Sequence, residues 1–204
     1  MKLYGSLTSP YVRKVRMVFM EKGLTHDLVV EGPADAAGNV VRLNPLRAIP
    51  VLERDDGEVF FDSVMICEYI DSLNDKPRLY PASGEARWQA LRWHALGQGM
   101  MEATVARFVE LRKPAEKQDA APVAKHTARI AAALAFAAER IPASSFISGS
   151  SIGIADIALA AALGYIDLRY AHDWRGQHPQ LANWFASISQ RPSFVQTLAP
   201  ELKK

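Results

Sequence analysis

Two stretches of this sequence put a hydroxyl at the start of a helical pattern, a position suited to holding an anion. Ser9 precedes Pro10, and Asp62-Ser63 precedes an apolar run at Val64, Ile66, Cys67, Tyr69, Ile70 and Leu73. Serine before proline is first of all a good helix cap: its oxygen accepts a free N–H, and proline suits the first helical position because it has no N–H to satisfy. Asp62 or Ser63 caps the second helix in the same way. A helix start also attracts carboxylates and other anions through its remaining N–H groups and dipole. Ser6, Thr8 and Tyr11 are further hydroxyls beside Ser9, so residue type alone leaves open which of them would do chemistry. Between the two helix starts lies Ile49-Pro50, a loop entering an edge strand, where proline is tolerated because no ladder N–H is needed.

Other chemistry is poorly supported. Cys67 is the single cysteine, so neither an internal disulfide nor a cysteine-based metal cluster is available, and a reducing cytoplasm is the expected compartment. Set mid-helix among core residues, Cys67 reads as an inert buried thiol. The five histidines (His26, His94, His126, His172, His178) have no metal-ligand spacing, and no metal is expected. His94 and His126 read as surface or packing residues. With 24 Lys+Arg against 22 Asp+Glu and no basic block, nucleic acid is not an expected partner. The N-terminus lacks a signal pattern, and the apolar runs Ile157–Ile166 and Ile130–Ala138 are shorter than the roughly 20 residues a membrane helix needs.

The elements that must position these residues can be read in order. Lys2–Gly5 is a short strand, and Tyr11–Lys22 a helix stopped by Gly23. His26–Glu31 is a second strand, followed by an irregular stretch, 32–41. Val51–Arg54 and Glu58–Phe61 flank Asp55-Asp56-Gly57 as a hairpin, and the helix after Asp62-Ser63 closes an α/β layer. Beyond Pro77–Pro81, an extended linker, the chain reads as helical. The segments are Glu85–Leu111, interrupted by Gly97 and Gly99, then Val123–Arg140, the all-round apolar Ile154–Arg169, and Pro179–Gln190. The expected division is an α/β domain over 1–76, a linker and helix start over 77–84, and an all-helical domain over 85–204.

The chain resembles the cytosolic glutathione transferases over nearly all of its 204 residues. The resemblance rests on five motifs taken in order. Ser9-Pro10-Tyr11-Val12-Arg13-Lys14-Val15 is similar to the activation loop of serine-type members. Asn44-Pro45 with Ile49-Pro50-Val51-Leu52 is similar to the loop before the family's cis-proline, and Asp62-Ser63 to the pair opening its third helix. Ile154-Ala155-Asp156-Ile157 resembles the buried capping segment, and Arg191-Pro192-Ser193 the late motif. The resemblance implies a thioredoxin-like α/β N-terminal domain followed by an all-α C-terminal domain. It implies glutathione as co-substrate, a small hydrophobic electrophile as partner, and a homodimer. Ser9 would donate its hydroxyl to the glutathione sulfur and stabilise the thiolate, without itself acting as a covalent nucleophile. The Ile49-Pro50 bond would be cis, and the Ile49 main chain would pair with the cysteinyl backbone as an added strand does. Ser63 would hold the γ-glutamyl carboxylate, and Asp62 would balance the γ-glutamyl ammonium. Met100, Met101, Thr104 and Arg107, on the long helix, fall in the stretch that would line the electrophile pocket, with Met101 and Thr104 the two candidates taken from it.

The chain departs from the family's pattern in places. Arg47 and Ala48 stand where many relatives have glycine and lysine, so the glycyl carboxylate lacks its usual partner; Arg47 or Arg42 is the replacement on offer. Gly153 replaces the serine or threonine that completes a capping box with Asp156, which reads as structural. No cysteine lies near Ser9, which argues against disulfide chemistry, and the Ser-Ser-Cys loop of the zeta members is absent. The alternative readings are a non-catalytic scaffold that kept the fold and a glutathione-dependent isomerase.

Overall fold

The computed structural model describes residues 1–33, 35, 37–75, 77–143 and 145–202. These form two units: Met1–Tyr80 joined by the C-terminal segment that begins at Pro192, and Pro81–Arg191.

The first unit is built on β1 (Lys2–Gly5), α1 (Pro10–Glu21), β2 (Asp27–Val30), α2 (Asn39–Leu43), β3 (Val51–Glu53), β4 (Val59–Phe60) and α3 (Ser63–Ser72). The sheet order is β2-β1-β3-β4, with β1 and β2 parallel and the other two pairings antiparallel. Helix α1 crosses between the parallel strands. Its apolar residues Val12, Val15, Val18 and Phe19 are fully buried, as their helical spacing requires. Gly23 ends it at φ +64°; its N–H reaches Met20 O and the Leu24 N–H reaches Phe19 O, the paired bonds of a Schellman motif.

Helix α2 occupies part of the stretch expected to be irregular. It has no capping side chain immediately before it. Instead Glu31, eight residues before the helix begins, accepts from the Val40 N–H at 2.6 Å and the Asn39 side chain at 3.2 Å. Those contacts, strengthened by Arg42, hold the Glu31 carboxyl below the usual range against the opposing effect of desolvation.

The second unit contains α4 (Gly84–Leu111), α5 (Ala120–Arg140), α6 (Ile154–Arg169), α7 (Trp174–Gln177) and α8 (Pro179–Ile188). Every residue from Ile154 to Ile166 is buried, as the all-round apolar pattern of α6 requires. Asp156 anchors its start, accepting the Gly153 N–H at 2.9 Å and the Ile147 N–H at 2.7 Å. Gly153 has no side chain to return a bond, so this is half of a capping box.

Helix α4 runs without a break through Gly97 and Gly99, contrary to the interruption expected from sequence. A Cβ on Gly97 would lie 2.7 Å from the Ala158 backbone, so glycine here permits close approach of α6. Phe108 on α4 meets Arg169 on α6, eleven residues further along each helix than the Gly97–Ala158 contact, so the two helices run parallel. Nothing lies within 4 Å of a Cβ built on Gly99. The two glycines should therefore respond with opposite signs. In urea unfolding, Gly97→Ala is expected to lose roughly 1–3 kcal/mol through overpacking, more than its gain in helix propensity. Gly99→Ala is expected to gain about 0.5–1 kcal/mol.

The chain's end departs from the expected division, which placed all of 85–204 in the helical domain. Helix α9 (Pro192–Gln196) groups with the first unit. Arg13 of α1 lies 4.0 Å over the Phe194 ring and donates to Phe194 O at 3.1 Å, while the Ser193 hydroxyl bonds Glu21 at 2.5 Å.

Candidate functional site

The sheet register brings the sequence's candidate segments to one end of the first unit. Tyr4 pairs with Val51, so the loop after Gly5 and the bond before Val51 lie at the same end. Leu52 pairs with Phe60, so β4 also runs toward that end, where it meets Asp62 and α3. The α1 start, the Ile49-Pro50 bond and the α3 start therefore share one edge of the fold.

Ser9 caps α1. Its Oγ accepts the Val12 N–H at 3.3 Å, and the residue is 9% exposed. Among the described residues, nothing accepts the Ser9 hydroxyl proton, so the cap leaves that donor available. The neighbouring Ser6, Thr8 and Tyr11 are half-buried.

The Ile49-Pro50 peptide bond is cis. Among the described residues no hydrogen bond uses the Ile49 N–H or C=O, which leaves one main-chain donor and one acceptor just before β3. Asn44 shapes the approach to this bond: its side-chain amide donates to Ala48 O at 2.8 Å, and its Oδ1 accepts the Leu46 N–H at 2.9 Å. Sequence reasoning gave Asn44 no role of its own, although asparagine before proline is a turn-starting pair. Arg47, where many relatives have glycine, takes φ +49°, the left-handed region that glycine favours. Its side chain is exposed, and Arg42 is also exposed, bonding Asn39 at 3.1 Å.

At the third segment, Asp62 and Ser63 divide the work. Asp62 is the cap: its Oδ1 accepts the Val64 N–H at 2.9 Å and the Met65 N–H at 3.4 Å. Ser63 follows as the first helical residue, 1% exposed, and neither its hydroxyl nor its N–H is bonded among the described residues. Capping of α3 thus leaves two adjacent donors at the positive end of the helix dipole.

Two acidic groups of this unit are held neutral. Burial, with the Glu53 carboxylate as its hydrogen-bond partner, raises the Tyr4 phenol to about 12. Burial raises the Cys67 thiol to about 11, against a smaller opposing effect of Lys14. Cys67 is fully buried. In native protein at pH 7.5, iodoacetamide is expected to leave Cys67 unmodified over hours and to label it fully once urea is added; rapid native labelling would contradict the burial argument. The sign of the pH effect follows from the raised folded-state value. The stability it contributes is fully present below about 9 and is lost as pH rises through about 11.

The two proposed pocket residues of α4 are placed differently from the sequence expectation. Met101 is fully buried, and Thr104 is 1% exposed with its hydroxyl donating back to Met100 O at 2.8 Å. Both are core groups of the second unit, so an accessible pocket is not built on them. His94 is also buried, and no cluster of metal-ligating side chains occurs among the described residues.

Comparison with known proteins agrees with this architecture. Residues 3–78 match the family model described as glutathione S-transferase, N-terminal domain, and residues 103–187 match the corresponding C-terminal domain. The chain is 33% identical over 202 residues to the uncharacterized GST-like protein YibF of Escherichia coli, covering 98% of this chain and all of that one. Among solved structures, a glutathione S-transferase from Methylobacillus flagellatus with glutathione bound is 38% identical. It superposes with a TM-score of 0.92 over 96% of this chain and 98% of the other. A glutathione transferase family member from Pseudomonas fluorescens, also with bound glutathione, is 36% identical, with a TM-score of 0.90 over 98% of both chains.

Proposed function

The chain belongs to the glutathione S-transferase family, and on that premise we propose that it ionises bound glutathione and transfers its sulfur to small hydrophobic electrophiles. One observation carries the reading: the uncommitted groups at one sheet end follow the order of the tripeptide's own groups. The Ser63 hydroxyl and N–H suit the γ-glutamyl carboxylate, with the exposed Asp62 carboxylate available to the γ-glutamyl ammonium. The Ile49 N–H and C=O suit the cysteinyl main chain, as in strand addition. The Ser9 hydroxyl proton suits the sulfur.

In this reading the protein's task is electrostatic. A free thiol of pKa about 8.5 is about 3% ionised at pH 7. A hydroxyl donor and the α1 N-terminus favour the thiolate, which then attacks the electrophilic carbon. The S–C bond forms as the leaving group departs with its electron pair, or as the π pair of an activated double bond moves to its acceptor and is later protonated. Arg47 and Arg42 are the candidates for the glycyl carboxylate. A homodimer and a cytoplasmic setting complete the proposal; light scattering should return twice the chain mass.

Calorimetric titration with glutathione, followed by a panel of an aryl halide, an epoxide and an enone, tests the activity. Binding with consumption of at least one electrophile supports it. Binding with rearrangement of an added isomerisable substrate, but no conjugation, would replace it with the isomerase reading. Absence of binding would favour a non-catalytic scaffold.

A further inference from the structure

The second unit contains a cavity of about 340 Å³ at the end of the bundle where α4 and α6 begin and α5 stops. Its walls are mostly small and apolar. Ala90 of α4 and Ala155 of α6 line it, with Pro142 and Ile147 from the segment joining α5 to α6. Contacts outside the cavity hold these walls in place. Asp156, itself 0% exposed, accepts the Ile147 N–H at 2.7 Å and so ties that wall to the start of α6. The Gln180 side chain donates to Ile141 O at 3.0 Å, beside Pro142. Trp93, also on the wall, meets Phe136 of α5 edge-on, with ring centroids 6.5 Å apart. A pocket held in this way needs little ordering when a ligand enters, and its size is that of a small-molecule site.

Two cations line this apolar space, Arg92 and Arg140. The helix register brings them close together. Arg107 of α4 meets Thr127 of α5 and Trp93 meets Phe136, so α4 and α5 run antiparallel. Arg140, one turn beyond Phe136, therefore comes level with the Gln89–Ala90 turn, about one helical turn from Arg92 along the axis. Arg140 is seated 4.0 Å over the Phe136 ring and gives Nη1 to Glu139 and to Phe136 O. Its Nε and Nη2 have no partner among the described residues. Glu139 is 68% exposed, and a surface pair of this kind contributes little. Arg92 makes no hydrogen bond or ion pair among the described residues. The Trp93 indole N–H also lacks an acceptor among them, although buried indoles usually find one. The nearby carboxylates are occupied: Glu85 binds Gln89, and Asp156 binds the Ile147 and Gly153 N–H groups.

We propose that this cavity binds a medium-chain aliphatic carboxylate, its alkyl part against Ala90, Ala155, Ile147 and Pro142 and its acid group held by Arg92 and Arg140. Guanidinium forks match a carboxylate in shape, and Arg140 on its ring has little freedom left to lose. Walls of alanine, proline and isoleucine suit an alkyl chain, whereas the Trp93 ring, 5% exposed, offers no open face for stacking. The volume is about twice the ~150 Å³ that takes up a benzene molecule, room for a chain of roughly eight carbons. The inference concerns the helical unit and does not depend on glutathione.

Titration calorimetry of the whole chain provides the test, with octanoate as probe and 1-octanol as its neutral counterpart. The expected result is one octanoate per chain, bound at least 10-fold more tightly than octanol. Binding should weaken as salt is raised and be unaffected by millimolar glutathione. Arg92→Gln and Arg140→Gln should each weaken octanoate by about 10-fold and leave octanol unchanged. Ala86→Phe, which brings a ring into the cavity from an exposed helix position, should abolish binding of both. Equal affinity for acid and alcohol, no octanoate binding, or displacement of octanoate by glutathione would each overturn the proposal, and none of these outcomes needs a variant to fold. Octanoate binding indifferent to Ala86→Phe and to both arginine changes would overturn it as well.

Discussion

Replacing Ser9 with alanine is expected to lower kcat/KM for conjugation by roughly 10- to 100-fold near neutral pH. The magnitude follows from one lost hydrogen bond to a charged sulfur, about 1.5–3 kcal/mol, where each 1.4 kcal/mol is a factor of ten. The same change removes the α1 cap, in which Ser9 Oγ accepts the Val12 N–H at 3.3 Å, at about 1 kcal/mol of stability. The two consequences can be separated. A capping role alone lowers the melting temperature and spares turnover in the folded enzyme, whereas a sulfur contact also shifts the pH–rate profile to higher pH. Unchanged turnover and profile would move activation to Ser6, Thr8 or Tyr11.

The largest stability effect is expected at Lys22 and Asp71. The Lys22 ammonium is fully buried, within 2.9 Å of Asp71 Oδ1 and Asp71 O, 2.6 Å of Asn74 O and 2.7 Å of Pro77 O. The Asp71 carboxylate also accepts the Leu79 and Tyr80 N–H groups at 2.8 and 3.0 Å. One buried pair therefore ties α1 and α3 to the strand-free segment that ends the first unit. Removing either charge leaves the other without its partner in a dry site, which typically costs about 3–5 kcal/mol. Lys22→Met is expected to lower the urea midpoint accordingly. Arg78→Ala, which breaks the exposed Arg78–Asp75 pair, should leave it essentially unchanged. A loss at Lys22 as small as that at Arg78 would show that the clamp does not hold the unit together.

Local signals made much of this architecture legible. Ser9-Pro10 and Gly23 bracket α1, Asp55-Asp56-Gly57 sits between β3 and β4, and the apolar run of α6 is buried where its composition requires. The features that escaped sequence reading depend on partners distant in the chain. Helix α2 is capped by Glu31 from beyond its own start, so no cap precedes it in the sequence. Gly97 reads as a helix breaker until Ala158 of α6 is seen against it. The segment from Pro192 follows the helical run in sequence, but Arg13 and Glu21 draw it to the first unit. At the candidate site, residue types marked Ser9, Asp62 and Ser63 as caps. Only the strand register shows that they share a sheet end with Ile49, and only the bonding shows which donors the caps leave over. Met101 and Thr104 illustrate the converse: a thioether and a hydroxyl on a long helix give no indication from sequence whether they face a cavity or the core.

The central claim is that this sheet end holds glutathione with its sulfur deprotonated. Thiolate absorbance near 240 nm, followed as a difference spectrum while pH is varied with the protein saturated in glutathione, measures that directly. The expected result is a bound thiol that ionises at least one pH unit below the free value of about 8.5, with the shift reduced in Ser9→Ala. A saturated complex whose thiol titrates at the free value would contradict the account.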